Sequence, residues 1–319
     1  MIKKKLATVV ATMAVALAAF TAPAQAQSDL PESSAGIDIN AEINRLLGQL
    51  SQFPQIPNLP NPSKPLTRDS VDVAGQGNRQ YLIETPSNMD PNRTYPVVFG
   101  FSGWQHSANM YRDYADLDVA AGQEAILVYP EGNAQAWEGP KYAPSGTGQD
   151  VAFVKTILDK VKTQYKVDAS RVFATGLSNG GGMALALACQ APETFAAVAS
   201  VSGAYYNSAS LNNCQTGKVD TLVMHGTADD HMLYNGGAND HGGSYYSAPQ
   251  ITQSIAQRNG CTGNALSGPA VSGNVELFTA AGCPVGGDTT HYKVNGGGHS
   301  WYAANPVAAQ VVWNYFKTH

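Results

Sequence analysis

The sequence predicts an α/β fold, a mostly parallel central sheet with helices on both faces. Two observations carry this. Short apolar runs of strand length recur along the chain, and segments with helical spacing alternate with them. In order, Gln80 to Glu84 and Val97 to Phe101 read as strands. Ala125 to Tyr129 is another, a continuous apolar run closed by Pro130, the composition of a strand buried on both faces. Val151, Val154, Leu158, Val161 and Tyr165 then fall on one helical face. Val172 to Thr175 is a strand, and an alanine-rich helix runs from about Asn179 to Gln190. Phe195 to Val201, Val219 to Met224 and Thr290 to Val294 supply three more strands. Asn305-Pro306 is expected to open a final helix, with asparagine as N-cap and proline in the first turn. Parallel neighbours need crossover connections, and helices in those crossovers cover both faces of the sheet. The span of residues 67–319 suits one large domain.

The N-terminus is of another kind. Lys3, Lys4 and Lys5 precede an apolar run from Leu6 to Phe20, and small residues lead to Ala24-Gln25-Ala26. A basic start, a short apolar core and an A-x-A ending describe a cleavable signal peptide over residues 1–26, so the mature chain is expected outside the cytoplasm, secreted or periplasmic. Residues 27–66 are expected to be a linker. Ile39, Ile43, Leu46, Leu47 and Leu50 recur at helical spacing in it, and the stretch from Pro54 to Pro65 can only be extended or irregular.

Loss of the leader removes three lysines and no acid, carrying the formal net charge from −5 to −8. An acidic chain without basic clusters argues against nucleic acid or anionic lipid as partners. Four cysteines remain: Cys189, Cys214, Cys261 and Cys283. In an oxidising compartment they predict two disulfides, with pairing of sequence neighbours as the simplest of three connectivities.

The chemistry centres on Gly176-Leu177-Ser178-Asn179-Gly180, a G-x-S-x-G segment where a predicted strand meets a predicted helix. That turn is so tight that the serine backbone is strained, and the flanking glycines relieve the crowding. The hydroxyl then projects beside a helix N-terminus, where developing negative charge is favoured. Such a nucleophile elbow belongs to the α/β-hydrolase fold, in which the acid and then the base follow the serine along the chain. Ser178 is therefore the expected nucleophile. Thr221 to Met224 leads into His225-Gly226-Thr227-Ala228-Asp229-Asp230, so Asp229 or Asp230 is the acid, and local order favours Asp229. Asp220, at the other end of the same strand, is expected to be structural. His231, His241, His291, His299 and His319 follow the acid in order. His299 is the expected base, because Gly296-Gly297-Gly298 lets its loop fold back toward the serine. The oxyanion donors are assigned to the backbone N–H of Asn179 and of Trp104, the latter in the loop after Val97–Phe101. Asp229, Asp230, His231, Asp240 and His241 also cluster in sequence as possible metal ligands, but the glycines between them indicate an ordinary loop. No metal or organic cofactor is expected.

The segment from Gly176 to Ala184 resembles the nucleophile segment of the polyhydroxybutyrate depolymerase and feruloyl esterase family. His225-Gly226-Thr227-Ala228-Asp229 with Tyr234-Asn235-Gly236-Gly237 is similar to its acid segment, and Gly296 to Trp301 to its histidine segment. Gln149 to Phe153 and Ser170-Arg171-Val172 also fit, and the likeness covers about residues 70–319. The resemblance implies Asp229 rather than Asp230 as the acid, and supports the neighbour pairing of the cysteines. Tyr234 and Trp301 are the expected substrate contacts. Where the family usually has His-Gly at the oxyanion loop, this chain has Ser102-Gly103. The added substrate-binding domain of many secreted polyester depolymerases has no counterpart here, which weighs against an insoluble polymer. The implied activity is ester hydrolysis through an acyl-enzyme. The expected substrates are polyhydroxyalkanoate oligomers, feruloyl or acetyl esters on polysaccharide, or short-chain esters. The rival readings are a catalytically weak hydrolase-fold protein that binds polysaccharide or polyester, and a serine peptidase.

Overall fold

The computed structural model describes residues 66–207, 211, 213–263 and 270–319. The expected leader and all of the expected linker but Leu66 lie outside the described residues. In chain order the strands are β1 (Leu66–Val73), β2 (Gly77–Glu84), β3 (Tyr95–Phe101), β4 (Ile126–Pro130), β5 (Val167–Leu177) and β6 (Ala197–Val201). They continue with β7 (Asp220–Gly226), β8 (Gly237–Asn239), β9 (Gly243–Tyr245), β10 (Ala270–Ser272), β11 (Val275–Thr279) and β12 (Thr289–Val294). The helices are α1 (Ala108–Ala115), α2 (Leu117–Ala121), α3 (Gln149–Gln164), α4 (Asn179–Gln190), α5 (Ala248–Arg258) and α6 (Ala308–Thr318).

Among the described residues, ten strands form one sheet in the order β1-β2-β4-β3-β5-β6-β7-β12-β11-β10, and β8 pairs with β9 apart from it. The run from β4 to β12 is parallel. The outer strands on both sides are antiparallel. The parallel strands are apolar on both faces because both are covered. In β4, Ile126 and Val128 join the core that includes side chains of α3, α4 and α5, while Leu127 and Tyr129 face α1, α2 and α6. Val97 and Phe99 against Val98, and Val172 and Ala174 against Phe173, repeat the alternation. Each such large apolar side chain contributes about 2 kcal/mol relative to exposure.

Register decides what the parallel strands deliver. Leu177 pairs with Val201, Val201 with Met224, and Met224 with Tyr292. The loops after β5, β6, β7 and β12 therefore leave one carboxyl edge, where open α/β sheets place their ligands.

The expected strands and the two interior helices are present. The final helix differs. It begins at Ala308 with Val307 as N-cap, and the Asn305-Pro306 bond is cis. Asn305 has φ 50°, outside the extended geometry of a capping residue, and Val307 takes that place at φ −81°, ψ 102°. Strand β1, helices α1, α2 and α5, and the hairpins β8–β9 and β10–β11 were not anticipated. Both disulfides pair sequence neighbours, Cys189 with Cys214 and Cys261 with Cys283. The first ties the end of α4 to the segment before β7. The second joins the residues after α5 to those before β12. No helix among the described residues is long and apolar enough to cross a membrane.

Candidate active site

Ser178 sits between β5 and α4 at φ 58°, ψ −119°, a backbone conformation that costs a non-glycine residue about 1–3 kcal/mol. The surroundings hold it there. Its N–H donates to Val201 O at 3.0 Å, and its carbonyl accepts from Gly182 N at 3.0 Å and Ala204 N at 2.8 Å. The glycines of the motif are required by space. A Cβ on Gly176 would lie 2.5 Å from the carbonyl of Gly180, and one on Gly180 would run into the Phe101 carbonyl. Helix α4 can thus start hard against the end of β3.

Asp229 lies in the turn after β7 and is only 3 % exposed. Its Oδ1 accepts from His231 N at 3.0 Å and Met232 N at 2.8 Å, and its Oδ2 accepts from His299 Nδ1 at 2.8 Å. Burial works to raise its pKa, but hydrogen bonds from His225 and His299 outweigh that and hold the carboxyl well below the usual carboxylate range. Asp229 is therefore held as an anion through the ordinary carboxylate range. The partnership also sets the tautomer of His299: with Nδ1–H bound to the carboxylate, Nε2 is the basic nitrogen.

The loop carrying His299 is stitched to its neighbours. Ala228 N donates to Gly297 O at 2.9 Å, and Gly296 N to the Thr227 hydroxyl at 2.9 Å. Ser202, just beyond β6, donates its hydroxyl to Ser300 O at 3.0 Å. Since β6 is the sheet neighbour of β5, this bond ties the histidine loop to the strand beside the Ser178 elbow. The exposed ring of His231 stacks on His299, with centroids 5.0 Å apart.

The loop after β3 closes the other side. A Cβ on Gly103 would stand 3.5 Å from Ser178 Cβ, so the Ser102-Gly103-Trp104 backbone packs on the serine. Trp137 fastens this loop, its indole N–H donating to Ser102 O at 2.9 Å. The Asn179 side chain in turn clamps the Trp137 main chain, accepting from its N–H at 2.7 Å and donating to its carbonyl at 3.2 Å. Among the described residues, no backbone hydrogen bond engages the N–H of Asn179 or of Trp104. The Trp137 loop is anchored by buried charge: Glu138 accepts from Gly148 N and Asp150 N at 2.8 Å each, and Asp150 pairs with Arg79 at 2.6 Å. The Trp104 ring stacks on Tyr142 at 4.2 Å and on His241 at 5.2 Å.

The two expected substrate contacts are placed elsewhere. Trp301 is 5 % exposed, and its indole N–H donates to Ala115 O at 2.8 Å. It packs edge-on against Tyr111 in the core on the α1 side. The Tyr234 hydroxyl lies 3.0 Å from Nε2 of buried His291. Trp301 is thus held in the interior, whereas Tyr234 is partly buried and packs against the core on the other face of the sheet. Asp220 is structural as expected, accepting from Asp288 N at 2.6 Å. Of the five possible metal ligands, Asp229, Asp230 and His231 offer atoms within 4.8 Å of one another. Asp229 has both oxygens occupied by N–H donors, exposed Asp230 and His231 bond each other at 2.8 Å, and His241 stacks on Trp104. Ser202, the Trp137–Glu138 anchor and His225 support this edge without standing among the site residues expected from the sequence. Only His225 left a signal, four residues before Asp229 in the acid segment.

The comparisons with known proteins bear on the whole of this edge. The family model described as "Putative esterase" matches residues 74–303. Feruloyl esterase C of Emericella nidulans is 27 % identical over 249 residues, covering 75 % of this chain and 83 % of that protein. Feruloyl esterase D of Neurospora crassa is 28 % identical over 262 residues, covering 75 % and 82 %. Among solved structures, an acetyl xylan esterase from Aspergillus awamori superposes with a TM-score of 0.60 at 16 % identity, over 79 % of this chain and all (100 %) of that one. The feruloyl esterase side of the sequence resemblance is thereby found again, and the architecture is that of the α/β-hydrolases. The match over residues 74–303 places the chain in the esterase family, and it is a carboxylic ester hydrolase.

Proposed function

We propose that the chain is a secreted serine esterase acting on feruloyl or acetyl esters of polysaccharide, through an acyl-enzyme on Ser178. Ser178 Oγ attacks the ester carbonyl as His299 Nε2 takes its proton, and the C=O pair moves onto oxygen. The N–H groups of Asn179 and Trp104 receive that oxyanion. Collapse breaks the ester C–O bond, and the imidazolium gives its proton to the departing alkoxide. Water then repeats the sequence on the acyl-enzyme, releasing the acid and restoring Ser178. Asp229 remains an anion throughout and stabilises the imidazolium.

The observation that carries this reading is the 2.8 Å Asp229–His299 pair on the same sheet edge as a serine at φ 58°. Support for the substrate class comes from the relatives' names, feruloyl esterases and an acetyl xylan esterase. Export is supported by two disulfides and by the basic-apolar-AQA pattern of residues 1–26. We take residues 67–319 as the catalytic domain.

The test is a substrate panel of methyl ferulate, acetylated xylan, p-nitrophenyl butyrate, hydroxybutyrate oligomers and chromogenic peptides. Turnover of ferulate or acetylxylan above the rest is the expected outcome. Preference for hydroxybutyrate oligomers would move the assignment to polyester, and preference for peptides to a peptidase. Binding of polysaccharide without turnover of any ester would leave a binding protein.

A further inference from the structure

The Asp229 carboxylate has a second imidazole behind it. His225, the sixth residue of β7, is 1 % exposed. Its Nε2 lies 2.8 Å from Met232 O and 3.2 Å from Asp229 Oδ2. A carbonyl and a carboxylate both only accept, so Nε2 carries a hydrogen, and Nδ1 is the other ring nitrogen. That nitrogen lies 3.1 Å from the Tyr205 hydroxyl, which also receives Gly203 N–H at 3.3 Å. Tyr205 comes from the segment after β6, whose Ala204 N–H holds the carbonyl of Ser178.

We propose that His225 is a positioning residue for acyl transfer, a buried imidazole that holds the Asp229 carboxylate in the orientation in which it grips His299. It acts on both carboxylate oxygens. Directly, Nε2 stands 3.2 Å from Oδ2. Indirectly, it holds the Met232 carbonyl and so the turn whose Met232 N–H binds Oδ1. Tyr205 connects the acid to the nucleophile side of the edge. The inference rests on the Ser178-His299-Asp229 reading above.

The consequence is a pH signature. A donor at Oδ2 draws charge away from His299. Without it the carboxylate stabilises the imidazolium formed in acyl transfer more strongly, and the acid limb of kcat/KM is expected to move to higher pH. Facing Asp229 are His225, His299, His231 and Asp230, with the Tyr205 and Tyr302 hydroxyls. Facing His225 are Tyr205, Tyr234 and, from β12, His291. A substitution at His225 alters one of these groups and leaves the others in place.

The experiment compares wild type with His225→Leu, His225→Gln and Tyr205→Phe, normalising each preparation by fluorophosphonate titration of Ser178. His225→Leu is expected to lower kcat per labelled site about tenfold to a hundredfold, on the scale of other supporting-partner losses, with KM changed less than about twofold. Its acid limb should rise by about half a pH unit. His225→Gln, whose amide can offer one N–H, should recover part of both effects, and Tyr205→Phe should shift both in the same direction by less. If His225→Leu does not fold, Tyr205→Phe decides. A lowered Tm with kcat per labelled site and acid limb unmoved would make His225 a packing residue only and overturn the inference. Wild type that takes no label at Ser178 would instead overturn the triad reading, and the inference with it.

Discussion

Ser178, Asp229 and His299 stand out in the sequence because each lies in a short segment with a local chemical pattern, and the structure sets Asp229 2.8 Å from His299. A serine between glycines at a strand-to-helix turn, an aspartate just past a strand end and a histidine after three glycines are each local patterns. The surroundings of Tyr234 and Trp301 were not legible, for the opposite reason. Their directions are set by distant partners, His291 for one and the Ala115 carbonyl, 186 residues away, for the other. At this scale, Asp229→Asn should lower kcat by about 10⁴-fold while the fold persists, because the amide keeps the shape and loses the charge that favours the imidazolium. Kinetics on protein with an unchanged circular dichroism spectrum checks this; near-normal kcat would remove Asp229 from the mechanism. Gly180→Ala would drive a methyl into the Phe101 carbonyl, an overpacking that costs about 1–3 kcal/mol. A clear fall in Tm is expected, with loss of activity as the Asn179 N–H moves. An unchanged Tm would contradict the close approach of α4 to β3.

At the scale of elements, the interior of the sheet was legible and its margins were not. Strands β3, β4, β6 and β7 are buried at every position, and an uninterrupted apolar run is the mark of that environment. Edge strand β1 reads LTRDSVDV and is half-exposed, so its pairing with β2 leaves no apolar pattern. The hairpins are three to five residues per strand, too short for a period to register. The disulfides matter at this level. Cys189–Cys214 closes a loop with a sequence separation of 25, a constraint on the unfolded chain that contributes about 3 kcal/mol. Replacing both cysteines by alanine should lower Tm by roughly 6–12 °C for a domain of this size. Differential scanning calorimetry checks it, and a shift under about 2 °C would mean that the bond constrains little.

For the whole molecule, buried ionisable groups set the acid limit of stability. Burial lowers His291 from 6.5 to about 3. Below pH 6.5 the unfolded chain takes up a proton that the folded one resists, so stability falls by up to about 1.4 kcal/mol per pH unit until about pH 3. Above 6.5 the term vanishes. Asp229 works in the same direction. Its depressed pKa adds stability above the ordinary carboxylate range, which is lost as the pH falls through and below that range. Tm should therefore decline from pH 6.5 to 4.5, and His291→Gln should flatten the decline. A wild-type Tm constant over that range would contradict the burial of a neutral His291.

All of this converges on one covalent claim, that the acyl group of the substrate passes through Ser178. Acid quenching during turnover of methyl ferulate, followed by peptide mass spectrometry, tests it most directly. A single feruloyl adduct on the peptide containing Ser178 is expected, and neither adduct nor turnover in Ser178→Ala. An adduct on a different residue, or Ser178→Ala hydrolysing the ester at near wild-type rate, would contradict it.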